Sequence, residues 1–390
     1  MQEARRLMFQ RLRESLPALR DRVYLNTGTS GPVPEPAFAR QVALLETFLR
    51  EGFSSPPAMA AYAKALREAR AAVASVLSCD PERVALTQST SDGLGLVASG
   101  LDWRPGDEVI TSDLEHVSGI APWRELARRK GVVVKELASE DGYLEASRVL
   151  DAVTPRTRLI CISHVSYATG AVLPVREVCL GARDAGVLVA VDGAQAAGHL
   201  PVDVKELGCH FYALPGQKWL LGPEGTGALY VAPEALDVLA PSRVGWASLS
   251  SEGDGLNLIQ LHRDARRFET GTVDAPAFAA LAESIRILES LGWEAIFTRA
   301  RALARRAAQG LAALPGVRIL TPRHADSGLL TFAVEGLDPE RVVKELWEKR
   351  RIVIRSIPKP RALRASFHAF NNEGDVEALV AAVDQMIRKA

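Results

Sequence analysis

The sequence contains few cysteines, no long apolar run and no excess of either charge. Its four cysteines among 390 residues are scattered without a Cys-x-x-Cys pair, which argues against a disulfide framework and against zinc or redox chemistry, so we predict no metal site. The 47 basic and 47 acidic side chains balance, which gives no indication of a nucleic-acid or acidic-membrane partner. No stretch of roughly 18 uncharged apolar residues occurs, so we expect no membrane span.

The beginning of the chain has the pattern of a helix. Its first residues alternate charged and apolar positions at helical spacing and lack the uninterrupted apolar core of a signal peptide. We therefore predict a helical segment over residues 1–23, packed on one of the domains that follow, and a cytoplasmic location. With 47% hydrophobic and 24% charged residues, the composition is that of a globular protein large enough for two or three domains.

From about residue 83, short β-branched runs alternate with helical stretches. This alternation predicts an α/β fold with a large, mostly parallel sheet covered by helices on both faces, in a domain over residues 24–275. The predicted strands are 83–86, 108–111, 132–135, 158–163, 187–192, 210–213 and 227–231. The predicted helices between them include 92–99, 121–130 and 177–185.

After Pro276 the composition becomes rich in alanine, leucine and arginine. This predicts helix over 277–314, broken at Gly292. Further strands are predicted at 317–320, 329–334, 352–355 and 363–367, with helices at 340–349 and 373–389. The pattern indicates a smaller C-terminal α+β domain over residues 276–390.

Asp192 and Lys218 stand where chemistry is expected in such a fold. Asp192 ends a predicted strand, and side chains at the carboxyl ends of parallel strands face the ligand crevice. Lys218, beside Gly216 and Trp219, can lose water and become an amine that binds a carbonyl group. Taken alone, both have ordinary explanations, Asp192 as a cap and Lys218 as a solvated surface lysine.

Two further segments follow predicted strands. Thr90 and Ser91 open a helix, where hydroxyls and backbone N–H groups form a phosphate site or, equally, an ordinary N-cap. His116 follows another strand and can stack on a flat ring, although a lone histidine is more often structural. Together these residues match pyridoxal 5'-phosphate (PLP) group by group: Thr90 and Ser91 suit the phosphate, His116 the ring face, Asp192 the ring nitrogen, Gln195 the ring hydroxyl and Lys218 the aldehyde.

This set resembles the class V aminotransferase group of fold type I PLP enzymes, which includes cysteine desulfurases, cysteine and cystine C–S lyases and isopenicillin N epimerase-like proteins. The similarity runs from residues 24–28 (Tyr-Leu-Asn-Thr-Gly) to residues 364–371 (Arg-Ala-Ser-Phe-His-Ala-Phe-Asn). It implies a small L-amino acid as substrate.

The resemblance also implies a role for each matching residue. Lys218 would bind the cofactor aldehyde and then move the substrate α-proton, and Asp192 would keep the pyridine nitrogen protonated. His116 would stack on the ring and Gln195 would bind its phenolic oxygen, while Thr90 and Ser91 hold the phosphate. Arg364 would clamp the substrate carboxylate, with Asn26 also in the substrate site. The choice of Arg364 over its neighbours Arg355 and Arg361 depends on the resemblance.

Residues 267–272 (Arg-Phe-Glu-Thr-Gly-Thr) resemble a family element whose threonine reaches the cofactor phosphate of the neighbouring subunit. For Thr272 this implies a homodimer with active sites at the interface. Seen alone, the six residues read as a polar loop.

Three departures from the desulfurase pattern affect the functional expectation. Residues 350–363 contain no cysteine, which argues against a persulfide-forming mechanism because that mechanism needs a thiolate there. Gln217 replaces a family histidine and can donate a hydrogen bond only without charge. Tyr167 replaces an asparagine, so we expect the Tyr167 hydroxyl, or Gln195 alone, to serve the cofactor oxygen.

The sequence therefore predicts a PLP-dependent enzyme that acts at the α-carbon of a small L-amino acid, as an aminotransferase or a cysteine/cystine C–S lyase. An epimerase of the isopenicillin N epimerase type is the alternative, and a cysteine desulfurase is less favoured. A non-catalytic role predicts damage to Lys218, Asp192 or His116, and all three are intact.

Overall fold

The computed structural model describes residues 2–251 and 260–389. The ends of the predicted terminal segments, residues 1 and 390, and residues 252–259 of the predicted large domain lie outside the described residues. In the described part of the chain, no helix is both long and apolar enough to cross a bilayer.

The helices and strands alternate along most of the chain. The helices are α1 Gln2–Glu14, α2 Glu35–Glu51, α3 Pro56–Val76, α4 Thr90–Gly100, α5 Val117–Lys130, α6 Ala146–Asp151, α7 Val175–Asp184, α8 Val204–Leu207, α9 Ala275–Leu291, α10 Trp293–Ala312, α11 Pro339–Arg350 and α12 Glu373–Ile387. The strands are β1 Val23–Tyr24, β2 Val84–Thr87, β3 Glu108–Ser112, β4 Val133–Leu137, β5 Thr157–Ser163, β6 Leu188–Asp192, β7 Phe211–Pro215, β8 Gly227–Val231, β9 Leu249–Ser251, β10 Gln260–Leu261, β11 Val317–Ile319, β12 Leu329–Val334, β13 Ile352–Val353, β14 Arg355–Ile357 and β15 Ala362–Ser366.

The large sheet confirms the predicted α/β fold. Its strand order is β2-β8-β7-β6-β5-β3-β4, and β4, β3, β5, β6 and β7 run parallel to one another. Strand β8 is antiparallel to both of its neighbours, β2 and β7. The connection over residues 216–226 is too short for the helical crossover that a parallel neighbour requires, so the chain turns back. This turn carries Lys218.

Four strands of the large sheet, including β2 at its edge, are buried on both faces. Every residue of β2, β3, β7 and β8 is buried, as expected for a sheet covered by helices on both sides. Helix α4 crosses close to β7, where a Cβ on Gly93 would lie 3.0 Å from the Cβ of Ala213. The beginning of α4 is thereby held near the carboxyl end of β7.

A second, antiparallel sheet has the order β11-β12-β15-β14. The predicted strand over 352–355 is divided in two, because the chain changes sheets at Ile354: β13 pairs with β1, while β14 pairs with β15. Gly292, with φ of +83°, separates α9 from α10 as predicted. Helix α9 packs against α2 and α3, so the division at residue 276 stays a prediction.

The N-terminal helix is held by apolar and charged contacts. Leu12 and Leu16 belong to a buried cluster with Leu288 and Phe370. The Arg13 guanidinium also donates to Asp375 at 2.8 Å. The first helix thus packs against residues that come near the end of the chain.

Candidate active site

A cavity of about 260 Å³ lies at the carboxyl ends of the parallel strands. Nine of the eleven residues predicted from the sequence line it together: Thr90, Ser91, His116, Tyr167, Asp192, Gln195, Gln217, Lys218 and Arg364. The other two, Asn26 and Thr272, lie outside the lining.

Asp192 and Lys218 influence each other's charge in this cavity. Asp192 is the last residue of β6 and is buried, with its Oδ1 accepting a hydrogen bond from the Ala194 N–H at 2.8 Å. Burial raises the pKa of the Asp192 carboxyl, and the charge of Lys218 opposes this. Burial also lowers the pKa of the Lys218 amine to about 8, against the pull of Asp192. At that pKa roughly a tenth of the Lys218 amine is neutral at pH 7, and the neutral amine is the form that binds a carbonyl group.

His116 caps a helix and also lines the cavity. It is the N-cap residue of α5, where its Nδ1 accepts from the Ser118 N–H at 3.3 Å, and its ring meets that of Tyr167 edge-on with centroids 4.9 Å apart. Burial, followed by the charges of Lys218 and the cavity arginines, lowers the pKa of His116 to about 4. The imidazole is therefore neutral near pH 7, a state that suits stacking on a ring.

The beginning of α4 has unsatisfied polar groups. Ser89, not Thr90 or Ser91, caps the helix by accepting from the Asp92 N–H at 3.1 Å. The first N–H groups of a helix have no partner within it. The Thr90 Oγ1 atom is buried without a hydrogen-bond partner, as is the Gln217 Oε1 atom. The free N–H groups of the helix and the Thr90 hydroxyl can donate and so suit an anion such as a phosphate, whereas Gln217 can serve it only through its Nε2 hydrogens, because Oε1 only accepts.

Both polar atoms of the Gln195 side-chain amide are hydrogen-bonded. Its Nε2 donates to the Gly28 carbonyl at 2.8 Å, and its Oε1 accepts from the Trp219 indole N–H at 2.9 Å. An amide nitrogen carries two hydrogens, so Nε2 has a second one for an oxygen atom in the cavity.

Two arginines reach the cavity from neighbouring strands. Arg364, on β15, is fully buried and donates to the Tyr167 carbonyl at 3.0 Å and to the Thr29 hydroxyl at 3.1 Å. Its Nε has no hydrogen-bond partner in the described structure. Arg355, on β14, also lines the cavity, whereas Arg361 is exposed and pairs with Asp338 outside it. Of the three neighbouring arginines, Arg364 and Arg355 are thus available to an anionic ligand.

The two remaining predicted residues, Asn26 and Thr272, do not line the cavity. Asn26 Oδ1 accepts from the Thr29 hydroxyl at 2.8 Å, so this side chain acts on the cavity only through Thr29. Thr272 is exposed and does not line the cavity of its own chain. Its segment is anchored by Glu269, which accepts from both the buried Arg70 guanidinium and the Leu86 N–H.

One buried carboxyl near the cavity was missed in the sequence. Glu115 accepts hydrogen bonds from the hydroxyls of Ser112, at 2.6 Å, and Ser163, at 2.5 Å. Burial raises the pKa of Glu115 to about 7. Its position directly before His116 was the signal available, but only the structure brings the end of β5 beside it.

The four cysteines lie outside the cavity. Cys161, Cys179 and Cys209 are buried and Cys79 is half-buried. Burial raises the pKa of Cys79 and of Cys179 to about 12, and holds those of the other two well above the usual value. None lines the cavity, and none offers a thiolate at ordinary pH.

Comparisons with known proteins identify the family of this chain. Residues 23–379 match the family model described as aminotransferase class-V. The chain is 32% identical to a probable cysteine desulfurase of Methanothermobacter thermautotrophicus, with 94% of this chain and 95% of that protein covered. It is 35% identical to isopenicillin N epimerase of Streptomyces clavuligerus, with 93% and 94% covered.

The fold is similar to that of solved enzymes. The structure of the cystine C–S lyase C-DES in complex with its reaction product cysteine persulfide superposes with a TM-score of 0.90 at 30% identity, covering 95% of this chain and 99% of that one. A variant of the same lyase carries glycine covalently linked to its PLP cofactor.

Fold and cavity define a PLP-dependent enzyme of fold type I. The residues present fit the cofactor, since the unpartnered Thr90 hydroxyl lies at the beginning of α4 and a lysine of lowered pKa lines the same cavity as a buried aspartate. The chain belongs to the class V aminotransferase family.

Proposed function

We propose that this protein acts at the α-carbon of a small L-amino acid, as an aminotransferase or as a cysteine or cystine C–S lyase. The observation that carries the proposal is the cavity itself, in which Lys218 and Asp192 lie together with the fully buried, unpaired guanidinium of Arg364. Bound PLP supplies a sink for the electrons released when a bond at the substrate α-carbon breaks.

Lys218 and Asp192 have the central roles in this proposal. The neutral amine of Lys218 binds the cofactor aldehyde and, once displaced by substrate, accepts the α-proton. Asp192 holds its negative charge against the ring nitrogen and so keeps that nitrogen protonated. His116 packs as a neutral ring on the cofactor face.

The other cavity residues position cofactor and substrate. Thr90 and Ser91 donate to the phosphate at the beginning of α4, with the amide of Gln217 beside them. Gln195 donates its second amide hydrogen to the phenolic oxygen, and the Tyr167 hydroxyl is the other group for that oxygen.

Arg364 binds the substrate carboxylate. A planar guanidinium can donate to both oxygens of a carboxylate, and Arg364 is buried without an acidic partner in the described chain. Asn26 supports this site by holding the Thr29 hydroxyl, to which Arg364 also donates.

A homodimer completes the proposal. Exposed apolar side chains at Phe38, Leu45 and Leu49 share one face of α2, with Leu49 83% exposed. Trp246, close to Gly271, is exposed as well. A second copy could cover these surfaces, and the resemblance of residues 267–272 assigns Thr272 to the cofactor phosphate of the partner subunit in such a dimer.

The lack of a reactive thiol argues against a desulfurase. The four thiols are outside the cavity and their pKa values are raised, so none can accept sulfur as a thiolate. Epimerisation stays the second candidate, because Tyr167 lies in the cavity beside His116 and could return a proton to the substrate.

Cofactor uptake by the apoprotein should accelerate as the pH rises towards 8. Because the pKa of Lys218 is lowered to about 8, the amine is mostly protonated below that pH and mostly neutral above it. The rate of the absorbance change after mixing apoprotein with PLP should rise nearly tenfold per pH unit at low pH and level off above about 8. Butylamine in place of the protein corrects for ionisation of PLP itself. A rate that still climbs at about pH 10, as for an ordinary lysine, would contradict the lowered pKa.

Product analysis distinguishes the candidate reactions. The cofactor-loaded protein is incubated separately with L-cysteine, L-cystine and L-alanine. A C–S lyase should release pyruvate and ammonia with sulfide from cysteine, whereas an aminotransferase should form pyruvate and the aminated cofactor from alanine. D-alanine on a chiral column would indicate epimerisation. A protein that retains no cofactor after gel filtration, and forms no product from these substrates, refutes the proposal.

A further inference from the structure

Trp219 follows Lys218 directly and touches the side chain of Gln195. Its indole N–H donates to Gln195 Oε1 at 2.9 Å, while Gln195 Nε2 donates to the Gly28 carbonyl at 2.8 Å. An indole N–H can only donate, and a backbone carbonyl can only accept. The two contacts therefore fix which end of the amide is oxygen and which is nitrogen.

Trp219 is itself held rigidly. Its ring stacks on that of His199 with centroids 3.5 Å apart and planes 7° apart, and the ring of His368 stacks at 6.0 Å. Nε2 of His199 accepts from the Gly328 N–H at 2.6 Å, which leaves Nδ1 to donate to the Gln195 carbonyl at 2.8 Å. The stacked rings of His199 and Trp219 therefore hold Gln195 by hydrogen bonds to its backbone carbonyl and its side-chain oxygen, respectively.

Gly28 allows this close approach. A Cβ at position 28 would lie 3.0 Å from Gln195 Oε1 and 2.9 Å from the Ser366 hydroxyl, so a side chain there would displace the amide. With one hydrogen of Nε2 bound to Gly28, the second is directed by the plane of the amide, and Gln195 lines the cavity.

We propose that Trp219 is a positioning residue that sets the direction of the Gln195 amide, so that a donor and not an acceptor faces the phenolic oxygen of the cofactor. Without the indole N–H, Oε1 loses its partner and the Gly28 carbonyl alone holds the amide, so the second Nε2 hydrogen is no longer held in the direction of that oxygen. This inference rests on the proposed role of Gln195 and concerns a residue that does not itself line the cavity.

The visible absorbance of the bound cofactor reports this contact. A hydrogen bond donated to the phenolic oxygen favours its deprotonated form and lowers the pH midpoint of the absorbance change. Loss of one such bond should raise the midpoint by roughly half to one pH unit. We expect this shift in Trp219→Phe and, to the same extent, in Trp219→Leu, which lacks the N–H but packs differently.

A second buried tryptophan provides the control. The Trp123 indole N–H faces the buried Cys161 thiol and has no contact with Gln195, so Trp123→Phe removes an indole N–H without touching the Gln195 amide and should leave the midpoint unchanged. In a Gln195→Ala background, Trp219→Phe should add no further shift, because its effect passes through Gln195.

The result separates this inference from the proposed function. A wild-type protein without cofactor absorbance refutes the proposed function. A wild-type protein with a pH-dependent spectrum, combined with midpoints in both Trp219 variants that equal that of Trp123→Phe, refutes the positioning role alone. The positioning role is also refuted if Trp219→Phe shifts the midpoint as much in the Gln195→Ala background as in the wild type.

Discussion

Lys218→Ala should reduce turnover by roughly 10⁴-fold or more, as expected when the group that both binds the cofactor and moves the proton is removed. Lys218 is the only lysine that lines the cavity in the described residues, so no neighbouring amine can replace it. Product formation at saturating substrate measures the loss. Borohydride treatment followed by mass spectrometry of peptides should find the cofactor fixed to Lys218 in the wild type and to no residue in the variant.

Lys205→Ala is the matched control for this experiment. Lys205 is an exposed lysine near Asp80, at 3.9 Å, and is outside the cavity. Its removal should change neither turnover nor borohydride labelling. A Lys218→Ala protein that still binds PLP in a form that borohydride fixes, or that turns over within tenfold of the wild type, would remove the basis of the proposed function.

Asp192→Asn should lower kcat by roughly 10³-fold, which is the scale of losing one preorganised electrostatic contact in a buried site. Asparagine has almost the same shape and can still accept from the Ala194 N–H, so the change removes chiefly the charge. Without that charge the ring nitrogen loses its proton, and the electron sink weakens.

The same variant should also alter Lys218. Because the Asp192 carboxylate raises the pKa of Lys218, its removal should move the pH profile of cofactor uptake to lower pH. Asp151→Asn, at an exposed position, serves as control and should leave both properties unchanged. An Asp192→Asn enzyme with a kcat within tenfold of the wild type and an unshifted uptake profile would contradict the assigned role.

Much of the large sheet could be predicted because its strands are short, buried and β-branched. Predicted and observed boundaries agree closely, as for 227–231 and β8. The direction of β8 was not predictable from its composition, since it depends on the length of the preceding turn. Helices α2 and α3 were missed because they precede the strand–helix alternation, and their environment is supplied by α9, about two hundred residues later.

The site was predictable to the extent that it follows strand ends. Residues that close β6 or open α4 face one crevice in any such sheet, which is why most of the predicted residues lie together. Asn26 and the contacts of Trp219 depend on pairing between distant segments, and the pattern along the chain does not encode these directly. Glu115 was overlooked because a lone carboxylate beside a histidine resembles a solvated residue until the end of β5 covers it.

The raised pKa values of the four thiols have a consequence for how sulfur would leave the active site. With pKa values well above the ordinary range, they neither store a sulfur atom between steps nor form a mixed disulfide readily. If the substrate carries sulfur, the leaving group departs into solution in the same catalytic cycle. Under the proposed function, the enzyme would then begin its next catalytic cycle without first removing sulfur from one of its own thiols.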